Sequence, residues 1–215
     1  MISKSPGEIF VPEYLDREGF QFGEITRQTD NYLAEQQMFA GYLMGDVPLM
    51  KGLRLSLGAR FEYSNQKVLT YELFNPDKTP LPAELETFDI LPAALISWFV
   101  TEKMVLRAAI SRTVSRPDFR ELSEATFNDV SGGQQISGNA DLKRALLTHV
   151  DMRWEWYPSI GEAVSFGVFY KHFEQPIESI IIVSSQNLVT FDNAEGANNF
   201  GFEFDLRKRF GFLHK

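Results

Sequence analysis

Leu53-Arg-Leu-Ser-Leu-Gly-Ala-Arg-Phe-Glu-Tyr-Ser64 decides the fold class. Its odd positions are Leu53, Leu55, Leu57, Ala59, Phe61 and Tyr63. Its even positions are Arg54, Ser56, Gly58, Arg60, Glu62 and Ser64. Alternation this strict fits a strand, in which successive side chains point to opposite faces. A helix would scatter both sets around its circumference.

The same period recurs along the chain. Met104, Leu106, Ala108 and Ile110 alternate with Val105, Arg107, Ala109 and Ser111. Val150, Met152, Trp154 and Trp156 alternate with His149, Asp151, Arg153 and Glu155. Val164, Phe166, Val168 and Tyr170 alternate with Ser165, Gly167, Phe169 and Lys171, and Phe200, Phe202, Phe204 and Leu206 with Gly201, Glu203, Asp205 and Arg207. Tyr32–Met44 follows more loosely, with Met38, Ala40, Tyr42 and Met44 assigned to the apolar face. Phe88–Phe99 follows least clearly, with Pro92 expected at a strand entrance or bulge because proline cannot donate to a ladder. The runs extend over about ten to twelve residues, the length a tilted strand needs to cross a bilayer. An ordinary globular strand has about five or six. The expected fold is all-β: an antiparallel up-and-down meander of about seven long strands, part of a larger transmembrane β-barrel.

Connector lengths support this. Val47–Gly52, Val100–Lys103 and Tyr157–Glu162 are short, whereas 73–87, 116–146 and 174–198 are long and rich in Gly, Asn, Asp and Pro. Short turns on one side and long loops on the other mark an outer-membrane barrel, with the short turns periplasmic. Trp98, Trp154 and Trp156 all lie near short turns, as interfacial indoles would. Tyr32, Phe61, Tyr63, Tyr170 and Phe200 are expected at the opposite strand ends, on the apolar face. Parity constrains pairing: Trp156 opposite Val164 and Asp151 opposite Phe169 suit one hairpin, and Met44 opposite Leu55 and Phe39 opposite Arg60 suit another. A one-residue slip would carry Arg60 and Glu62 into lipid, where Arg costs about 2–4 kcal/mol at the midplane.

Composition sets the remaining bounds. The chain has 215 residues, a formal charge of -8, no cysteine, 44% hydrophobic and 13% aromatic residues. Lack of cysteine removes disulfide scaffolds, thiolate metal sites and cysteine nucleophiles. The acidic balance argues against a nucleic-acid partner, which needs a basic face. No apolar run is long enough for a transmembrane helix, while transmembrane strands need only alternation. Met1-Ile-Ser-Lys-Ser-Pro-Gly7 has neither the apolar core nor the cleavage site of a signal peptide. An odd strand count with two long unpaired edges is a liability in a finished barrel. A piece of a larger protein is therefore expected. Residues 1–30 read as an irregular extracellular loop segment, 31–210 as the partial barrel and 211–215 as the start of a periplasmic turn.

Several motifs resemble TonB-dependent outer-membrane receptors. They are Ala40-Gly-Tyr-Leu-Met-Gly-Asp-Val-Pro-Leu49 followed by Leu55–Glu62, Leu91-Pro-Ala-Ala94, and Leu106-Arg-Ala-Ala-Ile-Ser-Arg-Thr-Val-Ser-Arg-Pro-Asp-Phe-Arg-Glu-Leu122. Gly138-Asn-Ala-Asp-Leu-Lys143, Val150–Trp156, Gly167-Val-Phe-Tyr-Lys171, Pro176-Ile-Glu178 and Gly201-Phe-Glu203 continue the series in the family's order. Ala140 and Arg144 depart from it, standing where Gly-Asn-Pro-x-Leu-Lys-Pro would have prolines. The resemblance implies a barrel of about 22 strands filled by an N-terminal plug, in the outer membrane of a Gram-negative bacterium. It implies energy-coupled uptake through TonB of a siderophore, cobalamin, haem, carbohydrate or peptide. Neither plug nor TonB box is recognisable in this sequence, so the chain alone is not expected to transport.

No His-Glu-x-x-His, Gly-x-Ser-x-Gly, Walker or Gly-x-Gly-x-x-Gly motif is present, and His149, His172 and His214 have no ligand-like spacing. No catalytic residue, cofactor or metal is assigned. Arg54, Arg60, Glu62, Arg107, Asp151, Arg153, Glu155, Lys171, Glu203, Asp205 and Arg207 are expected to face the lumen, holding it polar or lining the solute path. Arg116, Asp118 and Arg120, beside Arg112 at the head of loop 116–146, are the candidate substrate-binding residues. Guanidinium groups there could hold an anionic siderophore by paired bonds. Pairing with Asp118, Glu121 and Glu124 that merely shapes the loop is the favoured competing role. Ile177–Val183 reads as an extra extended segment above the membrane. The alternatives to a receptor barrel are a soluble all-β ligand-binding module, such as an open sandwich or a lipocalin-like cup, and an enzyme on a β scaffold.

Overall fold

The computed structural model describes residues 32–71, 80–128, 135–183 and 188–209. The segments 1–30 and 211–215 lie outside the described residues. Seven long strands make the main sheet: β1 (Tyr32–Met50), β2 (Leu53–Tyr71), β3 (Pro80–Thr101), β4 (Met104–Ser115), β7 (Ala145–Trp156), β8 (Ala163–Glu174) and β11 (Gly196–Arg207). They lie in chain order, β1-β2-β3-β4-β7-β8-β11, and every neighbouring pair is antiparallel. The sheet is an open meander with free edges at β1 and β11.

Two excursions leave this meander at the end opposite the short turns. The first, between β4 and β7, carries helix α1 (Phe119–Leu122), β5 (Phe127–Asn128) and β6 (Gln135–Ile136). The second, between β8 and β11, carries β9 (Ile177–Ile182) and β10 (Leu188–Asn193). The excursions share a second sheet in the order β5-β6-β10-β9, whose β6–β10 pairing is parallel. The extended segment expected at Ile177–Val183 is therefore one strand of a hairpin.

Period two holds across the ladder. One continuous row reads Leu53, Trp98, Leu106, Trp154, Phe166, Phe204, and the next reads Val47, Leu55, Ile96, Ala108, Met152, Val168, Phe202. The adjoining row on the other face reads Arg54, Ser97, Arg107, Arg153, Gly167, Glu203. Large apolar side chains on the first face stay exposed: Leu57 at 47%, Met152 at 50% and Phe204 at 64%. All three tryptophans lie on this face within its two rows nearest the short turns.

Two of those turns contain only two residues between strands, Lys51-Gly52 and Glu102-Lys103, each beside a bulge. Gly52 adopts φ +80, and a Cβ there would stand 2.8 Å from the Phe99 carbonyl oxygen, so glycine is required twice over. The turn is tied to β3 by the Phe99 N–H donating to the Gly52 carbonyl at 2.6 Å.

Register supports one sequence expectation and overturns another. Trp156 pairs with Val164 and Asp151 with Phe169, the pairing that parity allowed. In the β1–β2 hairpin, however, Phe39 pairs with Tyr63, Tyr42 with Arg60 and Met44 with Gly58. Met38, Ala40, Tyr42 and Met44 thus share the polar face, and Phe39, Leu43 and Val47 take the apolar one. Tyr32 also turns to the polar face, opposite the buried Thr70. The cause is composition: β1 carries bulky apolar residues at both parities, so alternation alone could not orient it.

Segment 73–87 is not a long loop, because β2 runs to Tyr71 and β3 begins at Pro80. Pro92 is neither an entrance nor a bulge. It stands within β3, immediately beyond the last β3–β4 pair, Ala93 with Ser111. A residue without an N–H is tolerated where a ladder stops.

Candidate functional site

The polar face divides into an open lower part and a covered upper part. All eleven residues expected to face a lumen lie on it by strand parity. In the lower part, Arg107 donates to Glu155 at 2.6 Å, and Arg153 lies 3.3 Å from the same carboxylate and donates to Ser165 at 3.0 Å. Arg54 pairs with Asp46 at 2.6 Å. Arg107–Glu155 and Arg54–Asp46 are cross-strand charge pairs and Arg153–Glu155 a pair along one strand, each of the ordinary kind, worth a few tenths to about 1 kcal/mol where exposed.

The upper part is roofed by the first excursion. Val68, Ala83, Leu122 and Leu142 form a buried cluster, flanked by Tyr32, Phe119, Ala140, Ile177 and Phe191. Polar contacts knit the roof to the strands beneath: Gln66 donates to the Pro117 carbonyl at 3.1 Å, and the Thr70 and Ser123 hydroxyls meet at 3.0 Å. Capping fixes α1. Asp118 accepts from the Arg120 N–H at its N-terminus, and Glu121 accepts from the Asp118 N–H at 2.8 Å.

The Gly138-Asn139 motif closes the other end of α1. Gly138 N–H donates to the Ser123 carbonyl at 2.9 Å and Asn139 N–H to that of Glu121 at 2.6 Å. A Cβ on Gly138 would collide with the carbonyl oxygens of Arg120, Glu121 and Ser123. Glycine is needed there for close approach between two backbones. The Asn139 side chain then reaches the second excursion, donating to the Phe191 carbonyl at 3.0 Å.

Beneath the roof lies a buried charge cluster. Arg116 donates to Glu62 at 2.9 Å and to Asp89 at 2.8 Å. Arg144 donates to the other oxygen of Asp89, and Arg60 to Glu62 at 2.5 Å. The side chains of Asp89, Glu62 and Arg116 are 1%, 10% and 11% exposed, so these charges can persist only because they are paired.

Sequence reasoning placed Arg116, Asp118 and Arg120 together at the loop head, and the structure separates their environments. Arg116 turns inward to carboxylates of β2 and β3, not to Asp118, Glu121 or Glu124. Asp118 caps α1. Arg120 is exposed, with its guanidinium carbon 4.1 Å from the centre of the Phe127 ring. Arg112 points to the apolar face and pairs with Glu174 at 2.9 Å. Asp89 and Arg144 were missed as members of a site. The available signal was a single acid, Asp89, inside the apolar run Phe88–Leu91, and an arginine at a position where proline was expected.

A seven-stranded antiparallel meander with one exposed apolar face and one charged face is a length of wall from a transmembrane β-barrel. Residues 9–214 match the family described as TonB dependent receptor-like, beta-barrel, and the chain belongs to that family. Its members are outer-membrane transport receptors, not enzymes, and bind small solutes such as siderophores or haem. Solved structures share the fold. The haemophore receptor HasR of Serratia marcescens, in complex with its haemophore HasA and haem, superposes with a TM-score of 0.65 at 10% identity over 80% of this chain and 31% of its own. The ferric-catecholate import receptor Fiu of E. coli K12 gives 0.58 at 13% identity over 87% and 27%. The siderophore receptor PirA of Pseudomonas aeruginosa gives 0.55 at 16% identity over 81% and 40%. The chain thus spans well under half the length of each. No curated protein matches it.

Proposed function

We propose that this chain is part of the barrel wall of a Gram-negative outer-membrane receptor that imports a small solute, with energy delivered by TonB through a plug domain. The apolar face meets lipid, the polar face lines the lumen, and the two excursions stand over the extracellular mouth. The observation that carries this reading is the bare apolar face. Leu57, Met152 and Phe204 are about half exposed or more, and no described helix or second sheet lies over them. A soluble ligand-binding module would leave that whole face in water, far beyond the few hundred Å² of contiguous apolar patch usual for soluble monomers. HasR is a haemophore receptor seen with haem, Fiu a ferric-catecholate import receptor and PirA a siderophore receptor, and an iron chelate or haem is the cargo we infer here.

Within the mouth, we assign Arg116 and Asp118 to building the roof. Arg120 makes no ion pair among the described residues and is the member of the trio placed to meet an anionic solute. The test is growth on limiting iron. Cells carrying the intact gene should use haem or a particular ferric siderophore as iron source, and should lose that ability when either this gene or TonB is deleted. Unchanged growth on every iron source in both deletions would overturn the assignment, as would recovery of the full-length product in the soluble fraction.

A further inference from the structure

The two excursions are joined to each other more closely than their separation in sequence suggests. Arg116 is the first residue after β4 and Arg144 the last before β7, so the two feet of the first excursion meet on one carboxylate, Asp89. The second excursion is then fastened to the first. Asn193 accepts from the Lys143 N–H at 2.8 Å and donates to the Lys143 and Gln175 carbonyls, both at 2.9 Å. Lys143 is the residue beside the foot Arg144. Higher up, Ser137 N–H donates to the Val189 carbonyl at 3.0 Å, and β6 pairs with β10.

We propose that Asp89 is a positioning residue that seats both excursions as one body, so that loosening its hold on the first loosens the second. Loss of its charge releases the feet at Arg116 and Arg144, and the release passes to the second excursion, which Asp89 does not touch, through Lys143–Asn193 and the shared sheet. The inference deepens the receptor reading and rests on it only for the excursions being extracellular. Its test reads mechanical coupling and is independent of uptake.

The experiment is hydrogen–deuterium exchange on the full receptor in detergent, wild type against Asp89→Asn. Exchange is expected to accelerate about tenfold or more in α1 and 135–144 and also in β10, while the lower parts of β4 and β7 keep their wild-type rates. Acceleration confined to 119–144, with β10 unchanged, would show independent loops and overturn the proposal. So would no change in either excursion, or equal acceleration throughout the wall. If Asp89→Asn yields no folded, heat-modifiable receptor, Arg144→Gln serves, because it frees one foot and leaves Arg116 on Asp89. The same paired acceleration at smaller amplitude supports the proposal, and acceleration in the first excursion alone refutes it.

Discussion

Strand β2 behaves as two different strands joined end to end. From Leu53 to Phe61 its outward residues are apolar and half-buried to exposed, Leu57 and Phe61 the most open, and on the opposite face none of Arg54, Ser56, Gly58 and Arg60 is buried. From Glu62 upward the inward side is covered: Glu62, Ser64, Gln66, Val68 and Thr70 are buried, while Asn65 and Lys67 on the outer side remain partly exposed. The pleat is continuous and the same parity points inward throughout. What changes is which side is covered. Bilayer selects for hydrophobicity on one face of the lower half, whereas a folded-in loop selects for fit and hydrogen bonding on the other face of the upper half.

The largest expected effect lies in the roof. Leu122 is 1% exposed and central to the cluster with Val68, Ala83 and Leu142. Leu122→Ala should destabilise the upper half by about 2–5 kcal/mol through lost contact and the cavity left behind. In urea titrations of the full receptor, a probe in the first excursion should unfold earlier while the tryptophans near the short turns keep their midpoint. Coincident shifts of both signals would show that the halves are not separable.

The second test probes the lower half. Leu57→Arg places a guanidinium amid the apolar band and should cost about 2–4 kcal/mol when the receptor is folded into lipid vesicles. Ser56→Arg, one residue away on the polar face, should cost little. Equal penalties would erase the distinction between lipid and lumen faces on which the comparison rests.

These halves also explain what was legible in the sequence. The lower band was read from periodicity because a hydrocarbon solvent imposes a simple rule on every outward position. The β7–β8 pairing chosen among those that parity allowed, Trp156 with Val164, is also the one found, although sharing a face fixes parity and not register. The rule failed in β1, where Met38, Phe39, Tyr42, Leu43 and Met44 offer apolar side chains at both parities. It was silent above Ser64, where Gln66 and Thr70 are buried by a distant segment. The Asp89 cluster joins residues more than fifty positions apart in part, as with Arg144, and no local pattern announces such a contact. Gly138-Asn139 was recognisable as a motif, but its role, closing α1 and reaching Phe191, depends on three-dimensional neighbours.

A smaller effect is expected at the N-cap of α1. Asp118→Ala removes the side-chain acceptor for the Arg120 N–H, and Ser or Asn at the same position should restore it. The cost should be about 0.5–2 kcal/mol, read as faster amide exchange confined to α1. Loss as large as that from Leu122→Ala would mean that the roof is held by its caps more than by its apolar cluster.

The smallest effect belongs to the outer side of the same upper half. Lys67 and Glu84 pair at 2.9 Å on the face opposite Asp89, above the apolar band, and each side chain is nearly half exposed. The hydrogen bond from Lys67 is the main cause holding the Glu84 carboxyl below its ordinary 4.5, and the same bond holds the Lys67 ammonium above 10.5. The stabilisation from Glu84 is therefore complete above its ordinary value and fades as pH falls through the lowered one. That from Lys67 is complete below its ordinary value and fades as pH climbs through the raised one. At neutral pH both groups contribute in full, yet water and salt screen them. Glu84→Gln should consequently shift the urea midpoint of the β2–β3 hairpin less than any substitution above, and the shift should vanish in about 1 M salt. The inner cluster sets carboxylates of the same two strands against arginines, so a salt-resistant loss at Glu84 comparable to that at Asp89 would mean that pairing, and not burial, sets the worth of an ion pair here.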